Sequence, residues 1–241
     1  MTSLRRAGPD LAAGLPLLLA VAWATRRLAG QPAAYVLEAA TLYALLAALV
    51  VRHVPDALPG RGLGPANRIT LGRAALALAI MPLALLPGPL GAPVYWWIIG
   101  VSTAAMVLDG FDGWAARRTG SATPFGARFD MELDAALLLA LSVLVWRSGR
   151  TGPWVLLIGG IRYGFVAAGR VWPALRGALP PRRRRKAIAV VQGVALLVAL
   201  GPIVPPWLAL GGVAGALALL VWSFAVDIRW LLRHAPAPGA G

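Results

Sequence analysis

Residues 109–134 read Asp-Gly-Phe-Asp-Gly-Trp-Ala-Ala-Arg-Arg-Thr-Gly-Ser-Ala-Thr-Pro-Phe-Gly-Ala-Arg-Phe-Asp-Met-Glu-Leu-Asp, with apolar runs at 94–112 and 130–147 on either side. A membrane-crossing helix needs about 20 mostly apolar residues. The window therefore reads as the polar turn between two spanning helices, and the fold as an α-helical membrane bundle. The window also holds five of the nine carboxylates in the chain: Asp109, Asp112, Asp130, Glu132 and Asp134. Acid beside a membrane span is costly and marks function by default. A cluster that repels itself has a physical reason to exist if it holds divalent cations.

The rest of the chain extends the same pattern. Of 241 residues, 59% are hydrophobic and 13% charged, whereas soluble domains are roughly 45–50% apolar. Hydrophobic runs of spanning length fall at 11–25, 33–51, 69–87, 94–112, 130–147, 152–172, 187–204 and 207–228. The expected organisation is an N-terminal pair of spans over 1–55, a Pro/Gly-rich linker over 56–65, a six-span block over 66–234 and a disordered Ala/Pro/Gly tail over 235–241. Residues 1–24 have some signal-peptide character, with Arg5 and Arg6 before an apolar run and Ala22-Trp23-Ala24 after it. Arg26 and Arg27 directly beyond that point argue against cleavage.

Absence of cysteine excludes disulfides, thiolate metal sites and a thiol nucleophile. His53 and His234 lie far apart in loops, which speaks against a histidine metal site or triad. The net charge of +14 sits beside hydrophobic spans, so it fits membrane orientation and anionic lipid or phosphate substrates, and nucleic acid is not an expected partner. With eight spans both termini share one side. The loops on that side carry Arg52, Arg61, Arg68, Arg117, Arg118, Arg128, Arg176, Arg182, Arg183, Arg184, Arg185 and Lys186, against Arg26, Arg27, Arg147 and Arg150 opposite. The positive-inside rule places the acidic window and both termini at the cytoplasmic face of the cell (inner) membrane.

Asp109 and Asp112 are three apart at the end of one span, and Asp130 and Asp134 four apart at the start of the next. Both spacings put side chains on one helix face. Antiparallel helices joined by a short turn can bring the two pairs together. Hard carboxylate oxygens suit Mg²⁺ or Mn²⁺. Two such ions can clamp a diphosphate and stabilise the attacking and leaving oxygens of a displacement. Gly113 and Gly126 allow close backbone approach to a ligand, and Arg117 offers forked donors to phosphate.

Asp109-x-x-Asp112-Gly113-x-x-Ala116-Arg117, then eight residues, Gly126, three residues, Asp130, three residues and Asp134 resembles the CDP-alcohol phosphotransferase signature at all eight fixed positions. The resemblance implies a six-helix core from about residue 66, with the motif across its second and third helices and the N-terminal pair as an addition. It implies transfer of a phosphatidyl group from a CDP-linked donor, usually CDP-diacylglycerol, to a small polar alcohol, with release of CMP, in phospholipid synthesis. It further implies Asp109, Asp112, Asp130 and Asp134 as ligands of two Mg²⁺ or Mn²⁺ ions, with Asp134 also the base that takes the acceptor proton. Gly113, Ala116, Arg117 and Gly126 would line the cytidine diphosphate pocket, and the enzyme would be a homodimer.

Asn67-x-x-Thr70-x-x-Arg73 resembles the pattern opening the first family helix, where Asn67 and Thr70 would bind the nucleotide. Asn67 as a plain helix cap is an equal alternative. Arg162 in mid-span and Arg170 nearer the cytoplasmic end need partners at membrane depth: the acceptor or diphosphate, or an aspartate. The run Arg182 to Lys186 fits topology and lipid attraction, with Lys186 a candidate for an acceptor phosphate. Asp227 and Arg229 read as a surface pair. Met131 and Ala135 replace the Pro and Lys of several phosphatidylglycerophosphate synthases, leaving the acceptor open, and Glu132 has no assigned role. Two rivals to an enzyme are a divalent-cation transporter, opposed by acid at one membrane face only, and a silent membrane scaffold, opposed by the intact aspartates.

Overall fold

The computed structural model describes residues 2–55, 62–86, 88, 90–119, 123–177, 179–180 and 183–234, without the side chains of 2–5, 112–117, 119, 173, 176 and 183. Most of the expected linker and the whole C-terminal tail lie outside the described residues. All regular structure among them is helical: α1 (Thr2–Leu28), α2 (Ala34–His53), α3 (Pro65–Ile80), α4 (Ala92–Thr119), α5 (Pro124–Arg147), α6 (Leu156–Val171), α7 (Arg183–Leu200) and α8 (Pro206–His234). Each expected span coincides with one helix. Six are long and apolar enough to cross a membrane; α5 and α7 are not among them. These two open on charge, Arg128 to Asp134 in α5 and Arg183 to Lys186 in α7.

Helices α4 and α5 both extend past their apolar runs into the acidic window. Helix α4 continues to Thr119 and α5 begins at Pro124, so most of the expected 113–129 turn is helical. The physical reason is local. Thr123 Oγ1 accepts the Gly126 amide at 3.0 Å, which satisfies a first-turn donor. Pro124 then occupies the first helical position, where its missing N–H costs nothing.

The chain divides into two compact units, Met1–Leu137 and Leu138–Gly241, with the boundary inside α5. In the first unit α3 is the hub. Its sequence is rich in alanine, 67% of its apolar window is buried, and Ala74, Ala75, Ala77 and Ala79 are buried. Small side chains let neighbouring helices approach closely, which is how helices associate where lipid removes the usual hydrophobic drive. Helices α1, α2 and α4 pack on α3.

Polar cross-links fix the direction of each helix. Tyr43 Oη donates to the Leu11 carbonyl at 2.8 Å and Tyr35 Oη to the Ala79 carbonyl at 2.7 Å. Trp97 Nε1 donates to Thr25 Oγ1 at 2.8 Å. Helices α1 and α3 therefore run parallel, with α2 and α4 antiparallel to both. The starts of α1, α3 and α5 and the end of α4 share one end of this unit, where Arg52, Arg68, Arg118 and Arg128 are exposed; Arg26 and Arg27 mark the other end.

In the second unit α7 packs along α8, joined by Gln192 Nε2 donating to the Ala216 carbonyl at 2.8 Å. Arg150 donates to the carbonyls of Gly201 (2.8 Å), Val204 (2.9 Å) and Pro202 (3.3 Å), closing the α7–α8 turn. Gly159 of α6 lies against the Leu139 backbone, leaving no room for a Cβ. Asp227 corrects the expectation of a surface pair with Arg229. It is 5% exposed and takes a 2.6 Å hydrogen bond from Arg184, with Arg185 at 3.8 Å. Burial of a carboxylate demands a close cation, and the start of α7 supplies it.

Candidate active site at the Arg73 carboxylate cluster

Helix α4 delivers Asp109 nearly three turns before its end, and α5 delivers Asp130 and Asp134 one turn apart. One oxygen from each lies within 4.8 Å of the others. Between them sits Arg73 of α3, with its side chain 2% exposed. Its Nε donates to the Ala105 carbonyl at 3.1 Å, which pins the guanidinium to α4. One terminal nitrogen bonds Asp130 Oδ1 and stands 3.1 Å from Asp109 Oδ1; the other bonds Asp134 Oδ1. The planar fork of arginine suits several carboxylates at once, as a lysine ammonium would not.

Exposure gives the cluster a floor and an opening. Arg73 is sealed, whereas the side chains of Asp109, Asp130 and Asp134 are 19%, 32% and 39% exposed. Among the described residues, three carboxyl groups converge on one guanidinium, so acid outnumbers base at the opening. Hard oxygen donors with residual negative charge, held by rigid helices at this spacing, fit a divalent cation of the Mg²⁺ or Mn²⁺ type.

Thr70 and Asn67 lie on α3, about one and two turns before Arg73, and both are buried. Asn67 is not the cap of α3, because Gly64 occupies that position with φ +83 and Pro65 follows. Instead Asn67 Nδ2 donates to the Leu63 carbonyl at 2.7 Å, and its Oδ1 fills the space where a Cβ on Gly126 would stand. The Thr70 hydroxyl donates to the Ala66 carbonyl at 3.2 Å. Gly126 is thus in direct contact with α3, which explains why that position carries no side chain.

The side chains of Asp112, Ala116 and Arg117, and the surroundings of Gly113, lie outside the described residues. Glu132 is exposed and is not one of the three converging carboxylates. Arg162 (half-buried) and Arg170 (exposed) on α6, and Lys186 (exposed) in the first turn of α7, belong to the second unit. Arg73 is the residue that sequence reasoning undervalued. The signal was present, since it closes the Asn67-x-x-Thr70-x-x-Arg73 pattern, but nothing local links it to acid some 60 positions away.

The sequence model of the CDP-alcohol phosphatidyltransferase family matches residues 64–226. The chain belongs to that family. It is 32% identical over 164 residues to the CDP-diacylglycerol–glycerol-3-phosphate 3-phosphatidyltransferase of Pseudomonas fluorescens, covering 61% of this chain and 82% of the relative. It is 32% identical over 116 residues to the CMP-forming cardiolipin synthase of Oryza sativa subsp. japonica, 44% of this chain and 34% of that one. A shorter stretch of 69 residues is 42% identical to ethanolaminephosphotransferase 1 of Mus musculus, 28% of this chain and 17% of the relative. No solved structure matches significantly. Family membership makes the chain a transferase of substituted phosphate groups, with a CDP-alcohol donor and an alcohol acceptor. The match begins at residue 64, so α1 and α2 lie outside it.

Proposed function

We propose that this enzyme transfers the phosphatidyl group of CDP-diacylglycerol to a small polar alcohol and releases CMP, in phospholipid synthesis. The observation that carries this is the convergence of Asp109, Asp130 and Asp134 from two helices onto one buried arginine. Two Mg²⁺ or Mn²⁺ ions held by Asp109, Asp112, Asp130 and Asp134 would neutralise the diphosphate and the charge developing on it. Asn67, Thr70, Gly113, Ala116, Arg117 and Gly126 form the cytidine diphosphate pocket, where small residues admit the nucleotide. Asp134 takes the proton of the acceptor hydroxyl, which must come within hydrogen-bond reach of it. The hydroxyl oxygen bonds the phosphorus carrying the diacylglycerol as the anhydride bond to CMP breaks. Arg73 holds one Asp134 oxygen and so orients the other.

Arg162, Arg170 and Lys186 bind the acceptor or its phosphate. Glycerol 3-phosphate is the first acceptor to try, given the Pseudomonas fluorescens relative. Met131 and Ala135 keep unphosphorylated alcohols in the panel. The enzyme sits in the cell (inner) membrane as a homodimer, with the active site facing the cytoplasm, since exposed arginines gather at the end of the first unit that holds the cluster. The test is CMP release by membranes carrying the protein, supplied with CDP-diacylglycerol, Mg²⁺ or Mn²⁺ and an acceptor panel. Metal-dependent release with at least one acceptor is expected. No release with any acceptor, or equal release by Asp134→Asn, overturns the proposal.

A further inference from the structure

Asp10 lies in α1, outside the family match, yet it reaches the threshold of α3. Its side chain is 11% exposed. Oδ2 accepts the Leu63 amide at 2.7 Å and Oδ1 faces Arg68 Nε at 2.9 Å. The Leu63 carbonyl accepts Asn67 Nδ2 at 2.7 Å, and Asn67 Oδ1 abuts Gly126. One residue, Leu63, thus has its N–H held by α1 and its C=O held by the pocket asparagine. On either side of it stand Gly62 and Gly64, at φ +69 and +83. Glycines at positive φ give this segment little stiffness of its own, so an external anchor decides where the Leu63 carbonyl points.

We propose that Asp10 is a positioning residue for the nucleotide pocket, acting through the Leu63 backbone to orient Asn67 against Gly126. This rests on the pocket proposed above for Asn67 and Gly126. The bond to Leu63 matters more than the pair with Arg68, whose side chain is 53% exposed; exposed ion pairs contribute little, whereas a carboxylate bonded to a buried amide is a strong contact. Gly62 belongs to the same device. A Cβ there would press on the Asp10 carboxylate and push it off Leu63.

The test uses the full chain in detergent. Asp10→Asn keeps an oxygen for the Leu63 amide and loses the charge; Asp10→Leu loses both; Gly62→Ala displaces the carboxylate and also strains the backbone at φ +69. Asp10→Leu and Gly62→Ala should each raise the KM for CDP-diacylglycerol about tenfold with kcat within about threefold, the scale of one lost charge-assisted hydrogen bond. Asp10→Asn should stay close to the parent. Amide exchange across residues 62–70 should quicken in the first two variants only. A kcat loss at constant KM, or Asp10→Asn as impaired as Asp10→Leu, overturns the proposal. If the parent releases no CMP, the functional assignment falls by itself. Exchange across 62–70 then decides the positioning, and equal exchange in the parent and Asp10→Leu rejects it.

Discussion

Arg73 and Asp134 are joined by a direct guanidinium–carboxylate hydrogen bond across 61 positions of sequence. This contact ties α3, the most buried helix of the first unit, to the residue proposed as the base. The same guanidinium reaches Asp130 and Asp109. Arg73 is therefore both the electrostatic floor of the site and the clamp on α4 and α5.

Removal of that floor should be costly. Arg73→Ala leaves three carboxylates facing one another. The expected loss is at or below the about 3–5 kcal/mol for breaking a buried ion pair, since the aspartates are partly exposed. Thermal unfolding in detergent measures it, and added Mg²⁺ should recover part of the loss. Arg73→Lys keeps the charge without the fork, so it should unfold closer to the parent while releasing CMP more slowly.

Asp134→Asn keeps the shape of the side chain and removes the proton acceptor. CMP release should fall about 10²–10⁴-fold, the usual contribution of a positioned base. Because Asp134 is also a proposed metal ligand, the loss should be read at saturating Mg²⁺ and CDP-diacylglycerol, where a missing proton acceptor still slows release. Retention of more than a tenth of the parent rate would exclude Asp134 as the base.

Metal removal is expected to be reversible. EDTA should abolish CMP release, and Mg²⁺ or Mn²⁺ should restore it. Binding to the folded protein alone should also raise its melting temperature with metal concentration. Asp130→Ala should shift the activation curve to higher metal concentration. An EDTA-insensitive enzyme would contradict the proposed role of the cluster.

A separate prediction concerns packing in the second unit. Gly159→Ala places a methyl against the Leu139 backbone, which cannot retreat as a flexible side chain can. Overpacking of this kind costs about 1–3 kcal/mol. Thermal unfolding should register it, with Gly160→Ala nearly neutral because open space surrounds that position.

Orientation can be mapped because the chain has no cysteine. Arg128→Cys and Arg27→Cys each create a single thiol at an exposed position, at opposite ends of the first unit. In intact cells a membrane-impermeant maleimide should label the Arg27→Cys protein and leave the Arg128→Cys protein until the membrane is broken. The reverse pattern would invert the proposed topology.

Much of this was legible in the residues alone. An apolar run marks each helix, because a membrane sets the length that a span must reach. The aspartate spacings mark two helix faces, because helical periodicity is local. What stayed hidden was decided by contacts between distant positions or by local capping. Arg73 looked like one member of a pattern, Asp227 like half of a surface pair, and the 113–129 stretch like a turn. Burial of Asp227 beside Arg184, and the cap from Thr123, follow from packing and backbone geometry that hydropathy does not encode.

The sequence by itself determined the class, the family signature and the concentration of acid in one window. Periodicity and composition carry that information residue by residue. Only the tertiary structure decided which cation faces the acid and which helix holds the Leu63 N–H. A buried charge takes the partner that packing brings within bonding distance, and for Asp134 that partner is Arg73 on another helix.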